Sequence, residues 1–276
     1  MVATLLRKFN DFKGKQRLSR LIFRSRITNT IDLVIKGKFD CIYKVPNLKE
    51  VIGLELFING VFEENHIELI ISKLPKNGVL LDLGANIGSI SIPICKLRPD
   101  ISALCVEASS VMTKYLKWNI EANKLQNCKV EQKAIWSKSD EKFTFMIPVE
   151  QYGKGMISLD NLSSNYENVL SVSIDDLYKQ YGFEKVDFIK VDIEGFEYFA
   201  FRGGASLLKS PQAPDILFEF IAGAESAVKG LESSDAQCIL LSYGYHLYKL
   251  HKGAMIKLNK PMDSDYSMIF ATKKKL

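Results

Sequence analysis

Cysteine and histidine are scarce in this chain, which has five of the former and three of the latter. No CxxC pair and no His/Cys cluster occurs, so a zinc site is not expected. The cysteines are odd in number, widely spaced and set mostly in apolar runs, where a free thiol behaves as a small hydrophobe. We therefore interpret them as reduced core residues, which favours a cytoplasmic location.

Long apolar runs are also missing. No stretch approaches the roughly 20 apolar residues that span a bilayer, and the start of the chain lacks the apolar core of a secretory signal. With 47% apolar residues among 276, the chain can still bury one sizeable core. A soluble globular protein without internal repeats is therefore the expected class.

Positive charge is concentrated at the start of the chain. Of the net charge of +5, residues 1–26 hold +7, from eight bases and one acid, which leaves −2 for the other 250 residues. Apolar residues recur among these bases at three- and four-residue spacings, which predicts a basic amphipathic helix. Three roles stay open for it: packing on the body or capping its active site, contact with an anionic membrane surface or a partner, or a disordered arm.

From about residue 79, apolar β-branched runs alternate with helical segments, a pattern typical of a parallel sheet covered on both faces. A short link between the last two predicted strands favours a hairpin, hence one antiparallel strand. The sequence therefore predicts an α/β, Rossmann-like fold with a mostly parallel seven-stranded sheet, one antiparallel strand and helices on both faces. The predicted strands cover residues 79–83, 101–106, 129–135, 186–191, 215–220, 245–250 and 266–272.

A glycine loop follows the first of these strands. The strand ends in Asp82, and Gly84 and Gly88 flank a turn that contains Ala85 and Asn86. Glycines let the backbone approach a ligand without a Cβ in the way. The loop lies at the carboxyl end of a strand, the edge where open α/β sheets bind ligands.

Glu107 ends the second strand, at the position from which an acid reaches a ribose hydroxyl. A dinucleotide site would require G-x-G-x-x-G against a pyrophosphate, but Asn86 replaces the middle glycine here. The loop and Glu107 therefore predict S-adenosylmethionine, which has no phosphate, and Asp82 would suit the amino group of its methionine moiety. A glycine turn without a ligand would leave the two acids unexplained.

A second motif ends the fourth core strand. It reads Lys190-Val191-Asp192-Ile193-Glu194-Gly195-Phe196-Glu197. With the loop from Asp82 to Gly88, it makes the chain resemble the FkbM-type family of S-adenosylmethionine-dependent methyltransferases. The resemblance spans roughly residues 60–222 and also includes Phe62-Glu63, Asn119, Asn123, Ala134-Ile135 and Ser173-Ile174-Asp175-Asp176-Leu177.

The resemblance implies methyl transfer to an oxygen, often a hydroxyl of a sugar or a secondary metabolite. It adds Glu63 and Ala134 to the expected cofactor-binding residues. We expect two regions in the chain, a basic N-terminal helical segment at 1–50 and a methyltransferase domain at 51–276; the resemblance itself does not extend over the basic segment or the last fifty residues. The expected partner is a small-molecule or glycan acceptor, with no nucleic acid.

A hydroxyl acceptor must lose a proton, and a general base contributes about 10²–10⁴-fold. Asp192, at the carboxyl end of its strand, is the first candidate for this base or for orienting the acceptor, and Glu194 is the second. Glu194 and Glu197 could instead only offset the positive end of the following helix. Lys190 lies inside an apolar strand and is expected to pair with an acid, because an unpaired buried lysine is costly.

Several alternatives remain open at this stage. Asp192, Glu194 and Glu219 could converge on a divalent metal, magnesium or calcium, although no residue is assigned as a metal ligand. The glycine-rich segment Gln151–Ser158 is either a mobile loop near the cofactor or an ordinary turn. A non-catalytic S-adenosylmethionine-binding module is also open, although it would not need the two acids.

A nucleic-acid methyltransferase would explain the basic start of the chain. Enzymes of that kind that act on base amino groups usually carry an Asn/Asp-Pro-Pro-aromatic block after the fourth strand, where a flipped base stacks. Here the Asp192–Gly195 block places acids where a polyanion would approach, which disfavours this class.

Overall fold

The computed structural model describes residues 14–29, 31–148, 155–158, 166–228, 230–251 and 254–275. The described helices are α1 (Lys15–Ile22), α2 (Arg24–Asn29), α3 (Val51–Asn59), α4 (Glu64–Lys73), α5 (Ser91–Leu97), α6 (Ser110–Ala122), α7 (Ile174–Gln180), α8 (Glu197–Gly203), α9 (Ala205–Lys209), α10 (Ala222–Ala227) and α11 (Asp235–Ser242). The described strands are β1 (Ile31–Lys36), β2 (Ile42–Asn47), β3 (Val79–Leu83), β4 (Ser102–Val106), β5 (Cys128–Glu131), β6 (Ala134–Ile135), β7 (Lys142–Met146), β8 (Met156–Ser158), β9 (Tyr166–Val172), β10 (Phe188–Val191), β11 (Asp215–Ile221), β12 (His246–His251), β13 (Ala254–Lys257) and β14 (Tyr266–Thr272). None of the helices in these ranges is both long enough and apolar enough to cross a membrane.

A central sheet runs in the order β13-β12-β14-β11-β10-β3-β4-β5. From β5 to β11 the neighbours are parallel, and β14 is inserted antiparallel between β11 and β12. The predicted mostly parallel sheet with one antiparallel strand is therefore confirmed. An eighth strand, β13, pairs antiparallel with β12 at the edge. All four of its side chains are exposed, so no alternation of apolar and polar residues marked it in the sequence.

The two faces of this sheet belong to two apolar clusters. Leu80 and Phe188 contribute to one cluster, whereas Leu81 and Ile189, one position further along the same strands, contribute to the other. This follows from the alternation of side chains along a strand. Because both faces are covered, the central strands read as nearly unbroken apolar runs.

The region before residue 50 differs from the predicted helical segment. Residues 31–47 form an antiparallel hairpin of β1 and β2. Its buried Tyr43 and Val45 belong to the apolar cluster that contains Leu80 and Phe188 of the central sheet. Asn119 of α6 and Asn123, which caps the end of that helix, hold β2 in place, since their side chains accept hydrogen bonds from the backbone amides of Lys44 and Ile42 respectively. Because these partners lie 75 or more residues away in the sequence, no local pattern indicated the hairpin. Residues 1–13, which hold part of the basic segment, lie outside the described residues.

Smaller differences occur later in the chain. The predicted strand at 129–135 divides into β5 and β6, and β6 belongs to a separate sheet with the order β6-β9-β7-β8. Strand β7 lies in the same small sheet, and Ser173 caps α7 by accepting a hydrogen bond from the Asp176 amide. Four cysteines are buried, but Cys238 is exposed, because it lies on the solvent side of α11.

Candidate active site

A cleft of about 730 Å³ opens where β3, β4, β10 and β11 end. Its volume lies in the usual range of small-molecule sites, about 300–1,000 Å³. Eight of the ten predicted site residues line this cleft: Glu63, Gly84, Ala85, Asn86, Glu107, Ala134, Asp192 and Glu194. Asp82 and Gly88 lie behind its wall. Six of these eight follow the ends of β3, β4 and β10, whereas Glu63 precedes α4 and Ala134 lies in β6 of the separate, smaller sheet.

The glycine loop is fixed to the strands on either side of it. The amides of Gly84 and Ala85 both donate to the Val106 carbonyl at the end of β4. On the other side, a Cβ built on Gly84 would lie 1.8 Å from the Asp192 carbonyl oxygen. The φ of Gly84 is +81°. Only glycine fits this position, because both the left-handed backbone and the contact exclude a side chain.

Gly88 allows close helix packing and does not line the cleft. Its φ is +83°, and a Cβ there would lie 2.7 Å from Leu116 of α6 and 2.8 Å from Ile92 of α5. The second glycine of the motif therefore lets these helices pack closely against the loop. We infer that its effect on the cofactor is indirect.

Glu107 is buried at the end of β4 and reaches back to the loop. Its two carboxylate oxygens accept hydrogen bonds from the amides of Asn86 and Ser109, both at 2.8 Å. Burial raises the pKa of this carboxyl to about 7, against the lowering effect of the two amides. A carboxyl held in this way keeps lone pairs for further donors in the cleft.

Lys190 is paired with acids, as expected. Its ammonium group lies 3.1 Å from the Asp192 carboxylate and 3.6 Å from that of Asp82, its register partner on β3. It also donates to the Gly84 carbonyl at 3.1 Å. Burial lowers the pKa of Lys190, but the carboxylates of Asp192, Asp82 and Glu63 outweigh burial and raise it. Lys190 therefore stays charged beneath the cleft.

Asp82 occupies a different place from the one that the sequence suggested. It is fully buried, and its carboxylate accepts a hydrogen bond from the Ser91 hydroxyl and faces Lys190. A cationic group of a ligand would have to displace these partners to reach it. In this structure the positive charge beside Asp82 comes from Lys190 of the chain itself.

Acids crowd the opposite end of the cleft. Burial, followed by the charges of Asp192 and Glu194, raises the pKa of Glu219, which favours its protonated form in hydrogen-bond contact with Asp192. Glu194 has a φ of +58°, a strained conformation for a residue with a Cβ. Glu197 accepts from the Ile193 amide at 3.0 Å, which gives it a local structural contact at the start of α8.

Tyr266 is a cleft residue that the sequence prediction missed. It lines the cleft together with Glu219, whose charge, after burial, raises the pKa of the Tyr266 hydroxyl. Strand β14 runs antiparallel to β11, so β14 begins beside the end of β11. Its first residue therefore reaches the edge of the sheet where the cleft lies. The predicted antiparallel strand could have indicated this position.

Asp192, Glu194 and Glu219, the three acids considered as metal ligands, lack the combined negative charge of a metal site. Within the described ranges, no group of three His, Cys, Asp or Glu side chains has the arrangement needed to hold a metal ion. Lys190 balances the charge of Asp192, and the raised pKa of Glu219 favours its uncharged form. Of the glycine-rich segment, residues 151–154 lie outside the described residues, while Gly155, Met156 and Ile157 line the cleft.

The first strand of the parallel sheet leads into a glycine loop, and the second ends in a buried acid at the same cleft. These features define the class of S-adenosylmethionine-dependent methyltransferases with a Rossmann-like fold. The sequence model of the family described as "Methyltransferase FkbM domain" matches residues 82–247, more than half of the chain. The chain belongs to this family, and S-adenosylmethionine is its cofactor.

The relatives found by comparison are more distant. The ribosomal RNA small subunit methyltransferase C of Shewanella denitrificans is 35% identical over 72 residues, which are 24% of this chain and 21% of that protein. This chain thus matches about a fifth of that relative's length.

Solved structures with a similar fold include the precorrin-6y C5,15-methyltransferase of Geobacter metallireducens, with 13% identity, a TM-score of 0.44 and coverage of 78% of this chain and 90% of that one. The fibrillarin of Aeropyrum pernix with bound S-adenosyl-L-methionine has 13% identity, a TM-score of 0.43 and coverage of 76% and 74%. The METTL16 methyltransferase domain has 13% identity, a TM-score of 0.47 and coverage of 95% and 81%.

The residues present fit this cofactor. The loop offers backbone at Ala85 and Asn86 without a phosphate cradle, and the buried carboxyl of Glu107 faces the same space. Ala134 and Phe145 supply apolar wall next to it. In S-adenosylmethionine, the sulfonium carries a nucleoside with an apolar base and a polar ribose. This combination matches the lining of the cleft.

Proposed function

We propose that the enzyme methylates a hydroxyl oxygen of a sugar or a secondary metabolite, with Asp192 taking the proton. One observation carries this proposal: the Asp192 side chain stands in the cleft at the end of β10, 32% exposed and 3.1 Å from the Lys190 ammonium. A carboxylate that is held in place by a neighbouring cation and is open to the cleft can accept a proton from a hydroxyl bound there.

The other acids then have distinct roles. When bound, S-adenosylmethionine supplies an electrophilic methyl group on a sulfonium. Asp192 would take the proton of the acceptor hydroxyl as the oxygen receives this methyl group and the sulfur leaves as an uncharged thioether. Glu219, whose pKa is raised by burial and by the neighbouring acids, would donate to Asp192 and orient it, while Glu194 lines the same cleft. Holding the acceptor in line can supply roughly 7–11 kcal/mol of the barrier.

The proposed cofactor-binding set keeps all the predicted residues but divides their tasks. Glu107 would hold the ribose hydroxyls, with the cofactor in contact with Glu63, Ala85, Asn86 and Ala134, as the cleft lining supports. Gly84 allows the close contact of loop and strand. Asp82 and Gly88 would act behind the wall, through Lys190 and through helix packing respectively.

Glu107→Gln should weaken S-adenosylmethionine binding about 10- to 100-fold, because a hydrogen bond to a charged group contributes roughly 1.5–3 kcal/mol. Isothermal titration calorimetry would measure the change. Glu131→Gln is the matched control, since Glu131 ends the neighbouring strand β5 but bonds Tyr181 instead of lining the cleft. Equal affinities of the two variants would contradict the role given to Glu107.

The charges of the cleft favour an uncharged, hydroxyl-rich acceptor. Even without Glu219, whose raised pKa favours the uncharged form, the described lining of the cleft includes six acids against four bases: Glu50, Glu55, Glu63, Glu107, Asp192 and Glu194, with Arg20, Lys49, Lys133 and Lys190. Carboxylates accept hydrogen bonds from sugar hydroxyls but repel phosphates. The RNA substrate that the Shewanella relative's name suggests is therefore disfavoured as an acceptor for this chain.

A labelled-methyl transfer screen tests the proposal. The full chain and methyl-labelled S-adenosylmethionine would be incubated with fractionated extract, and labelled products sorted into glycans, small molecules and RNA. We expect label in a hydroxyl compound, recovered as a base-stable methyl ether. Label on nitrogen or on RNA would overturn the proposal. Tight cofactor binding without any transfer would show a non-catalytic binding module instead.

A further inference from the structure

Helix α1 lies along the mouth of the cleft. Gln16 donates to Glu55 of α3 at 2.5 Å, and Arg20, one turn later on the same side of α1, lines the cleft. Just beyond the helix, Phe23 packs edge-on against Phe57 of α3, with the ring centroids 5.1 Å apart. One side of α1 is therefore committed to the body of the enzyme.

The opposite side of α1 exposes apolar side chains. Leu18, Leu21 and Ile22 recur at three- and four-residue spacing, so they form one ridge on the helix. Leu21 is 71% exposed and Ile22 51%. Of the thirteen large apolar side chains exposed in the described ranges, five lie between residues 18 and 34. Apolar surface concentrated in this way, unlike scattered single residues, marks an interaction site.

Positive charge surrounds this ridge. Residues 14–29 contain five bases and no acid, and Arg17 and Arg24 are exposed beside the apolar side chains. A ridge of leucine and isoleucine flanked by arginine is the arrangement of helices that lie in the interface of an anionic bilayer. The apolar residues enter the acyl boundary while the bases stay at the headgroups.

We propose that the exposed face of α1 docks on an anionic lipid surface and that docking brings the mouth of the cleft to the membrane. A nucleic acid fits this face less well. It would engage the arginines alone and leave the leucines in water, whereas the interface of a bilayer accommodates both.

Vesicle co-sedimentation of the full-length protein tests this docking. The probes are vesicles of phosphatidylcholine alone and of equal parts phosphatidylcholine and phosphatidylglycerol. We expect binding to the mixed vesicles only, weakened by salt. Leu21→Ser with Ile22→Ser should weaken it about tenfold through lost apolar burial. Arg17→Gln with Arg24→Gln should weaken it about 25-fold, since each base near such a surface contributes about 1 kcal/mol, or roughly fivefold.

A matched control comes from the far edge of the sheet. Ile256, which is 51% exposed like Ile22, lies beside exposed Lys257 on β13. Ile256→Ser with Lys257→Gln should leave vesicle binding unchanged. S-adenosylmethionine affinity, measured for every variant, confirms folding independently of docking and of the acceptor.

Three outcomes would overturn the docking proposal. The first is no binding to mixed vesicles, and the second is equal loss of binding in the control pair. The third is binding to a single-stranded RNA oligonucleotide that depends on the arginines but not on Leu21 and Ile22, which would assign this face to a polyanion.

Discussion

Asp192→Asn should lower kcat by about 10²–10⁴-fold, the contribution of a general base. The variant keeps the shape of the side chain and a hydrogen-bond acceptor for Lys190, but an amide does not accept the proton of a hydroxyl. S-adenosylmethionine binding should remain close to that of the wild type, because Glu107 and the loop are untouched. Turnover with the acceptor from the labelled-methyl screen gives kcat, and calorimetry gives the cofactor affinity.

The control for this variant is Asp187→Asn, at the opposite end of the same strand. Asp187 accepts from the Val79 amide and pairs with Lys185, far from the cleft. An asparagine there preserves the backbone contact, so kcat should change little. Wild-type turnover in Asp192→Asn would remove Asp192 as the base and leave Glu194 as the next candidate, to be tested by Glu194→Gln.

Lys190→Met should destabilise the folded protein by about 3–5 kcal/mol, the cost of breaking a buried ion pair by removing one partner. Methionine fills a similar volume, but Asp82 would be left with the Ser91 hydroxyl as its remaining partner, in a place that water does not reach. Equilibrium unfolding in urea, followed by circular dichroism, gives the change in free energy of unfolding.

Lys185→Met provides the comparison at a surface pair. Lys185 lies 2.6 Å from Asp187, but its side chain is 51% exposed. Exposed pairs contribute about 0–1 kcal/mol, so this variant should unfold near the wild-type midpoint. If both lysine variants lost the same small stability, the charge of Lys190 would not be needed to hold Asp82.

The central sheet could be predicted from sequence because its signals are local. Apolar runs such as 79–83 and 186–191 end in acids or glycines, and the order of strands and helices then limits the topology to a few choices. The same logic brought Asp82, Glu107 and Asp192 to one edge. The hairpin at 31–47 had no such signal, because its burial depends on Asn119 and Asn123, far along the chain.

Side-chain partners within the site were less predictable. Whether Asp82 faces a ligand or Lys190 depends on the register of β3 against β10, which no local pattern specifies. Similarly, the sequence shows that Glu219 is an acid at the end of a strand. The raised pKa of its carboxyl, however, results from burial beside Asp192 and Glu194. Tyr266 needed the antiparallel placement of β14.

The contact between Gly84 and the Asp192 carbonyl bears on how such an enzyme can diversify. The segment that approaches the methyl donor and the segment that carries the proposed base touch through backbone, with no room for even one methyl group between them. A substitution at either segment therefore disturbs both at once. New acceptor preferences would be expected to arise by change around the rim, in the elements that contribute Arg20, Glu55 and Met156, while this junction stays fixed during divergence.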